Sequence, residues 1–243
     1  MASIPSYKDA VIERFSARAH VYEQNARLQA EIADRLARSL PHLEKPDILE
    51  VGCGTGLLTR HLLAAYPDGE FQITDLSQTM LDLCAARSGT GQNLQYRLMD
   101  GEHPDLTARY DLIATSMTAQ WFNAADESLM QLQSLLKPGG HLLYSTIGSN
   151  LFPQWRAVLE ELGYPCGLVD VPDLPGVITE DYYKMRFENG IRFLQSLKST
   201  GASHPRPGYH SLSVRELRHA LRLFETRMNC CCDWHILFGH LRG

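Results

Sequence analysis

Apolar residues recur at a helical period through the first forty positions of the chain. Leu28, Ile32, Leu36 and Leu40 fall every four residues and form one stripe, and Val11, Phe15, Ala19 and Tyr22 have similar spacing upstream. Pro41 ends the pattern, so residues 1–40 are predicted to be helical. From residue 47 the texture changes to short apolar runs alternating with helix-like stretches. Ile48–Val51 reads as a short buried strand, and Phe71–Thr74, Leu94–Leu98, Tyr110–Ser116 and His141–Thr146 read as the strands that follow it. Leu57–Tyr66, a stretch opening after Ser77 as its N-cap, and Glu127–Leu136 read as helices between them. Pro138-Gly139-Gly140 is expected to form a turn before the fifth strand. Such alternation predicts an α/β fold with a parallel sheet covered by helices on both faces.

After Thr146 the pattern loosens. Pro153, Pro165, Pro172, Pro175 and Gly176 make residues 147–181 read as loop. Strand-like Tyr182–Phe187, helical Gly190–Leu197 and a loop over Ser199–Gly208 follow. Val214, Leu217, Leu221, Phe224 and Met228 form a last helical stripe, and Trp234–Phe238 a final strand. The expected organisation is a single domain over residues 1–243. It has N-terminal helices at 1–40, a core at 47–146, a cap inserted after the fifth strand at 147–210, and a last helix and strand at 211–243.

A chain of 243 residues can bury a core without covalent staples. Its 23 basic and 28 acidic residues give a net charge of −5, which argues against a generic nucleic-acid binder. Cys53, Cys84 and Cys166 are scattered, Cys230, Cys231 and Cys232 are adjacent, and no CxxC spacing occurs, so no metal site is expected. Lys8, Asp9, Glu13 and Arg14 interrupt the N-terminus where a signal peptide needs an apolar stretch, and no window suggests a membrane span. A cytoplasmic protein with reduced thiols is expected.

The sharpest local signal is Glu50-Val51-Gly52-Cys53-Gly54-Thr55-Gly56, which follows a strand and opens a helix. There the backbone must turn tightly and approach a ligand closely, and side chains at Gly52 and Gly54 would block it. Leu57 stands where a dinucleotide fingerprint would place its last glycine. Asp75 ends the second strand, where a carboxylate can accept hydrogen bonds from both ribose hydroxyls. Asp100, in Met99-Asp100-Gly101-Glu102, follows the third strand, where it can accept from an adenine amino group.

Together with Leu136-Lys137-Pro138-Gly139-Gly140, these residues resemble the class I S-adenosylmethionine-dependent methyltransferases over residues 47–146. The resemblance implies a Rossmann-like sheet of seven strands, mostly parallel with an antiparallel last strand. It implies that Glu50 faces the methionine amino group and that Asp75 holds the ribose. The cofactor-binding set it implies is Tyr22, Glu50, Gly52, Cys53, Gly54, Gly56, Asp75, Leu76, Met80, Asp100, Gly101, Glu102, Ser116 and Met117. The flanks are narrower in kind. Phe15 to Gln29, Thr118-Ala119-Gln120-Trp121, Ser196–Ala202 and Trp234–Gly239 resemble the malonyl-[acyl-carrier protein] O-methyltransferases of biotin synthesis. That resemblance implies that Tyr22 closes over the cofactor as part of an N-terminal lid and that Trp121 lines the methyl-transfer end.

The malonyl group has a free carboxylate, which is ionised at pH 7 because carboxyl groups ordinarily titrate near about 4. Its methylation therefore needs no general base and no metal. A cation from the cap is expected to orient it, with Lys198, His204 and Arg186 as candidates. Lys184 to Arg222 carries eight basic residues against Glu188 and Glu216, a net of +6 that leaves −11 on the rest of the chain. Arg215, Arg218 and Arg222 lie at helical spacing, a patch suited to an acidic carrier protein. Two other functions use the same pocket: methylation of a small free metabolite, and cofactor binding without catalysis.

Overall fold

The structure is a computed structural model that describes residues 23–168, 171–198 and 209–243. The first described element is helix α1, Glu23–Ala37. Its stripe of Leu28, Ile32 and Leu36 is buried, as the spacing predicts. The helix stops at Ala37, four residues before Pro41, and Leu40 lies outside it. Strands and helices then alternate: β1 (Asp47–Val51), α2 (Thr59–Ala65), β2 (Glu70–Asp75), α3 (Gln78–Ser88), β3 (Leu94–Leu98), β4 (Tyr110–Ser116), α4 (Ala125–Gln133) and β5 (Leu136–Ile147). The later elements are α5 (Pro153–Glu161), β6 (Val177–Arg186), α6 (Gly190–Lys198), α7 (Val214–Met228) and β7 (Cys231–Arg242).

Seven strands form one sheet in the order β3-β2-β1-β4-β5-β7-β6. β1 pairs in parallel with β2 on one side and β4 on the other, while β3 extends β2 and β5 extends β4 in the same sense. β7 runs the other way. Gly148 N–H bonds to His235 C=O and Gly243 N–H to Gly140 C=O, so partner numbers rise on one strand as they fall on the other. Ile48, Leu49 and Val51, and Leu112, Ile113 and Ala114, are almost fully buried. Strands covered on both faces read as such continuous apolar runs. At the amino ends, Lys137 Nζ joins Asp47 (2.5 Å) and Asp111 (2.7 Å), tying β1, β4 and β5 together.

Two expectations need correction. Pro138-Gly139-Gly140 lies inside β5, because Tyr110 pairs with Leu136 and Leu112 with His141, and the extra residues bulge out. Gly139 takes the positive φ (+79°) that this bulge demands. The stretch 147–181 is not all loop. Pro153 is the first residue of α5, where its missing N–H costs nothing, and β6 begins at Val177.

The described chain divides into two compact units. One contains the chain as far as Thr146, with Asp173–Ile178 and Phe238–Gly243. The other contains Ile147–Pro172 and Thr179–Leu237. Phe193 is the hub of the second. Its ring meets Phe224 (4.6 Å), Trp155 and Phe187 (5.3 Å each) and Phe152 (5.4 Å). Each such aromatic pair adds ~0.5–1.5 kcal/mol beyond the area it buries.

Candidate functional site

Strand order reverses between β1 and β4, and a cleft opens beyond the carboxyl ends of the strands there, enclosing ≈ 1120 Å³ with the solvent at its mouth included. Its walls come from the end of β1 and the glycine loop, from Asp75-Leu76-Ser77 after β2, from Met99–Glu102 after β3, and from Ser116-Met117-Thr118 after β4. Trp121 and Phe122 complete it, with Gln29 of α1.

The loop is held by its own backbone and by Asp75. Gly52 and Cys53 N–H groups both bond to Thr74 C=O at 2.9 Å. Asp75 accepts from Gly54 N–H on one oxygen and Ser77 N–H on the other, each at 2.9 Å. Burial pushes the Asp75 carboxyl up, against the pull of these N–H groups. Ser77 caps α3 by accepting from Met80 N–H, as predicted. Gly54 has φ +53° and no atom within 4 Å of where a Cβ would project, so its bare backbone faces open space. Gly56 is not a wall residue. A Cβ there would meet Ser88 and Cys84 at 3.2 and 3.3 Å, so its place is loop-to-helix packing.

Glu50 is 1% exposed, and its carboxyl accepts from Thr59 Oγ1–H at 2.7 Å. Burial pushes its pKa up to about 8, so at pH 7 it is mostly protonated in the bare cleft. A cation brought beside it would draw that proton off. Thr59 also contacts Cys84 Sγ (3.3 Å). Hydrogen bonding to Cys84, together with burial, raises the pKa of the Cys53 thiol, so Cys53 faces the cleft as a neutral and weak nucleophile.

Leu76, Met80, Asp100, Gly101, Glu102, Ser116, Met117 and Trp121 all line the cleft. Glu102 turns its oxygens toward the backbone and side chain of Asn123. Tyr22 and His204 lie outside the described residues, as does the side chain of Lys198. Arg186 is not a wall residue; it lies in the second unit and donates to Asn229. Sequence reasoning missed Gln29, Thr118 and Phe122 as wall residues. Phe122 directly follows Trp121, and Gln29 ends the N-terminal motif; these adjacent positions were the available signal. Among the described residues no cluster of His, Cys, Asp or Glu could hold a metal, and no helix is long and apolar enough to cross a membrane.

The residues fit S-adenosylmethionine: a bare glycine backbone at Gly54, a carboxylate at the end of β2, and a buried carboxyl beside the loop. Fold and cleft define a class I S-adenosylmethionine-dependent methyltransferase. A family profile described as a methyltransferase domain matches residues 49–142. Over 238 residues the chain is 35% identical to the malonyl-[acyl-carrier protein] O-methyltransferase of Magnetococcus marinus, covering 91% of this chain and 88% of that one. It is 34% identical to the biotin biosynthesis bifunctional protein BioCD of Bordetella avium, spanning 96% of this chain and 52% of that longer one. In structure it is similar to the N-methyltransferase NodS of Bradyrhizobium japonicum in complex with S-adenosyl-L-homocysteine, with a TM-score of 0.55 at 14% identity over 98% of this chain and 99% of that one. The chain belongs to the malonyl-[acyl-carrier protein] O-methyltransferase family.

Proposed function

We propose that this protein transfers a methyl group to the free carboxylate of a malonyl thioester on acyl carrier protein, early in biotin synthesis and in the cytoplasm. The observation that carries the reading is similarity to a carboxyl O-methyltransferase over nearly the whole chain, second unit included. S-adenosylmethionine supplies a methyl group already activated on a sulfonium, so the work left to the chain is alignment and exclusion of water. Asp75 and the Gly54 backbone hold the nucleoside end, and Glu50 faces the amino group of the methionine end. Trp121 and Phe122 wall off the cleft, and Tyr22 closes over it. Cys53, held as a thiol, does not compete for the methyl group. The acceptor carboxylate arrives ionised and gives up no proton, so its methylation requires no general base. Lys198 or His204 orients it, and that cation selects the free acid over a neutral ester.

The carrier docks on α7. Arg215, Arg218 and Arg222 are exposed on this helix, while Ala220 and Phe224 on its other face are buried. Methyl transfer from labelled cofactor to malonyl-carrier protein, malonyl-coenzyme A and free malonate, measured side by side, tests the reading. The carrier thioester is the expected best acceptor. Reversing the three arginines to Glu is expected to raise the apparent KM for carrier protein and leave a small malonyl thioester unaffected, because exposed charges act on encounter. Transfer to none of the three would refute the assignment. No loss on either thioester would refute the docking face, and equal loss on both would mean a damaged fold or pocket.

A further inference from the structure

Glu102 lines the cleft, yet its carboxylate is engaged by the chain itself, at Asn123 and Ala124. The residue is only 4% exposed. One carboxylate oxygen accepts from Asn123 N–H (2.5 Å) and Ala124 N–H (3.2 Å), and the other from Asn123 Nδ2–H (2.9 Å). These partners lie 21 and 22 residues further along the chain, past β4. A buried carboxylate with three donors on it is a strong and directional tie.

What the tie holds is the segment between β4 and α4. That segment leaves β4 through Met117, a non-glycine residue at φ +54°, and a strained backbone of this kind persists only where its surroundings enforce it. Thr118 is its near anchor. It packs on the bare face of Gly52, where a Cβ would come within 2.3 Å of Thr118 Oγ1, and its hydroxyl is 3.3 Å from Gly52 C=O. Asn123 is its far anchor, on Glu102. Between the anchors stand Trp121 and Phe122, both facing the cleft. Phe122 lies flush on Gly101, whose added Cβ would fall 3.0 Å from the ring. The N-cap position of α4, Ala124, has no side-chain cap, and Glu102 accepts its backbone N–H, the bond that a Glu three residues into the helix makes in a capping box. A cap alone would need one acceptor at the helix end. The additional bond to the Asn123 amide fixes the turn before it.

We propose that Glu102 is a positioning residue, whose carboxylate clamps the Trp121–Phe122 turn against the cofactor cleft rather than holding the cofactor itself. The inference rests on the cleft binding S-adenosylmethionine. It is read out on S-adenosylhomocysteine binding, so the identity of the methyl acceptor does not enter, and failure of the wild-type chain to bind would be seen separately.

The test compares Glu102→Ala, Glu102→Gln, Asn123→Ala and the double alanine variant by calorimetry with S-adenosylhomocysteine, and by KM for cofactor and kcat. Glu102→Ala is expected to weaken binding about tenfold, the equivalent of one hydrogen bond to a charged group. Glu102→Gln is expected to rescue it. The amide oxygen still accepts from the two backbone N–H groups, and its NH2 donates to Asn123 once that amide flips. Asn123→Ala, whose side chain is not part of the cleft wall, should weaken binding in the same direction, and its effect should vanish in the Glu102→Ala background. Additive losses, or a Glu102→Gln variant as weak as Glu102→Ala, would mean that the carboxylate touches the cofactor directly and would overturn the proposal. Wild-type affinity in both alanine variants would overturn it as well. If Glu102→Ala does not fold, the pair Asn123→Ala and Glu102→Gln decides: the first must weaken binding and the second must not.

Discussion

Asp75→Ala is the most direct probe of the cofactor site. A carboxylate offers about four lone-pair positions. Gly54 N–H takes one on one oxygen and Ser77 N–H takes one on the other, which leaves a position on each for a ribose hydroxyl. Hydrogen bonds to a charged acceptor contribute ~1.5–3 kcal/mol each, so losing two costs about 3–6 kcal/mol, or ~10²–10⁴ in affinity. Asp75→Asn sharpens the test. Its single amide oxygen can serve one of the two N–H groups, while its NH2 must face the other, so the loop cannot keep its shape. Asn is therefore expected to be nearly as damaging as Ala, although it is isosteric. The assay is calorimetric titration with S-adenosylhomocysteine, with thermal melting of the ligand-free variants run alongside to show that the fold persists. Affinity within about threefold of wild type for either variant would refute the assignment of the ribose to Asp75.

Gly52→Ala and Gly54→Ala should fail differently. At Gly52 a Cβ strikes Thr118 at 2.3 Å with φ at +71°, so both melting temperature and cofactor binding should fall. At Gly54 the space is open, so binding should be lost with a smaller loss of stability; equal destabilisation by the two would refute this reading. For Glu50, between its ordinary value of 4.5 and about 8 the folded chain keeps a proton that the unfolded chain has released, so ligand-free stability should decline as pH rises through that window. Glu50→Gln should remove this component, and denaturation midpoints with the same pH slope in both proteins would contradict it. His141 and His240 are held below 6.5 by burial first and by Arg242 next, and His141 Nδ1 lies 3.0 Å from His240 Nε2. The unfolded chain then takes up protons first, so stability is expected to be lost as pH falls below about 6.5. His240→Gln should flatten that acid limb; an unchanged limb would rule the pair out as its source.

Legibility in the sequence followed the range of the interactions. Ile48–Val51 and Tyr110–Ser116 were plain because short apolar runs set between helix-like stretches mark the strands of a covered sheet. Ser77 was readable because its partner is three residues away. Pro153 was misread because proline marks a break in an isolated string, whereas at the first position of a helix the missing N–H has no partner to lose. Pro138-Gly139-Gly140 was misread because a bulge and a turn use the same residue types, and only the pairing of β4 with β5 tells them apart. The Phe193 cluster left no local trace, since Phe152, Trp155, Phe187 and Phe224 meet it from separate segments of chain.

The glycine loop shows why a correct motif can still be assigned the wrong physics. In the string, Gly52 and Gly54 look equivalent, two bare positions that let backbone approach a ligand. In the fold only Gly54 has open space before it. Gly52 is bare because Thr118, 66 residues away, occupies the volume a side chain would need. The constraint on Gly52 therefore comes from the wall that carries Trp121 and Phe122, and only indirectly from the cofactor. Glu102 belongs to the same structure, as the second anchor of that wall. A residue that contacts the ligand and a residue that places the contact leave the same mark in a sequence. They separate only when hydrogen-bond partners are traced: Asp75 braces the loop that faces the ligand, and Glu102 directs both oxygens to Asn123.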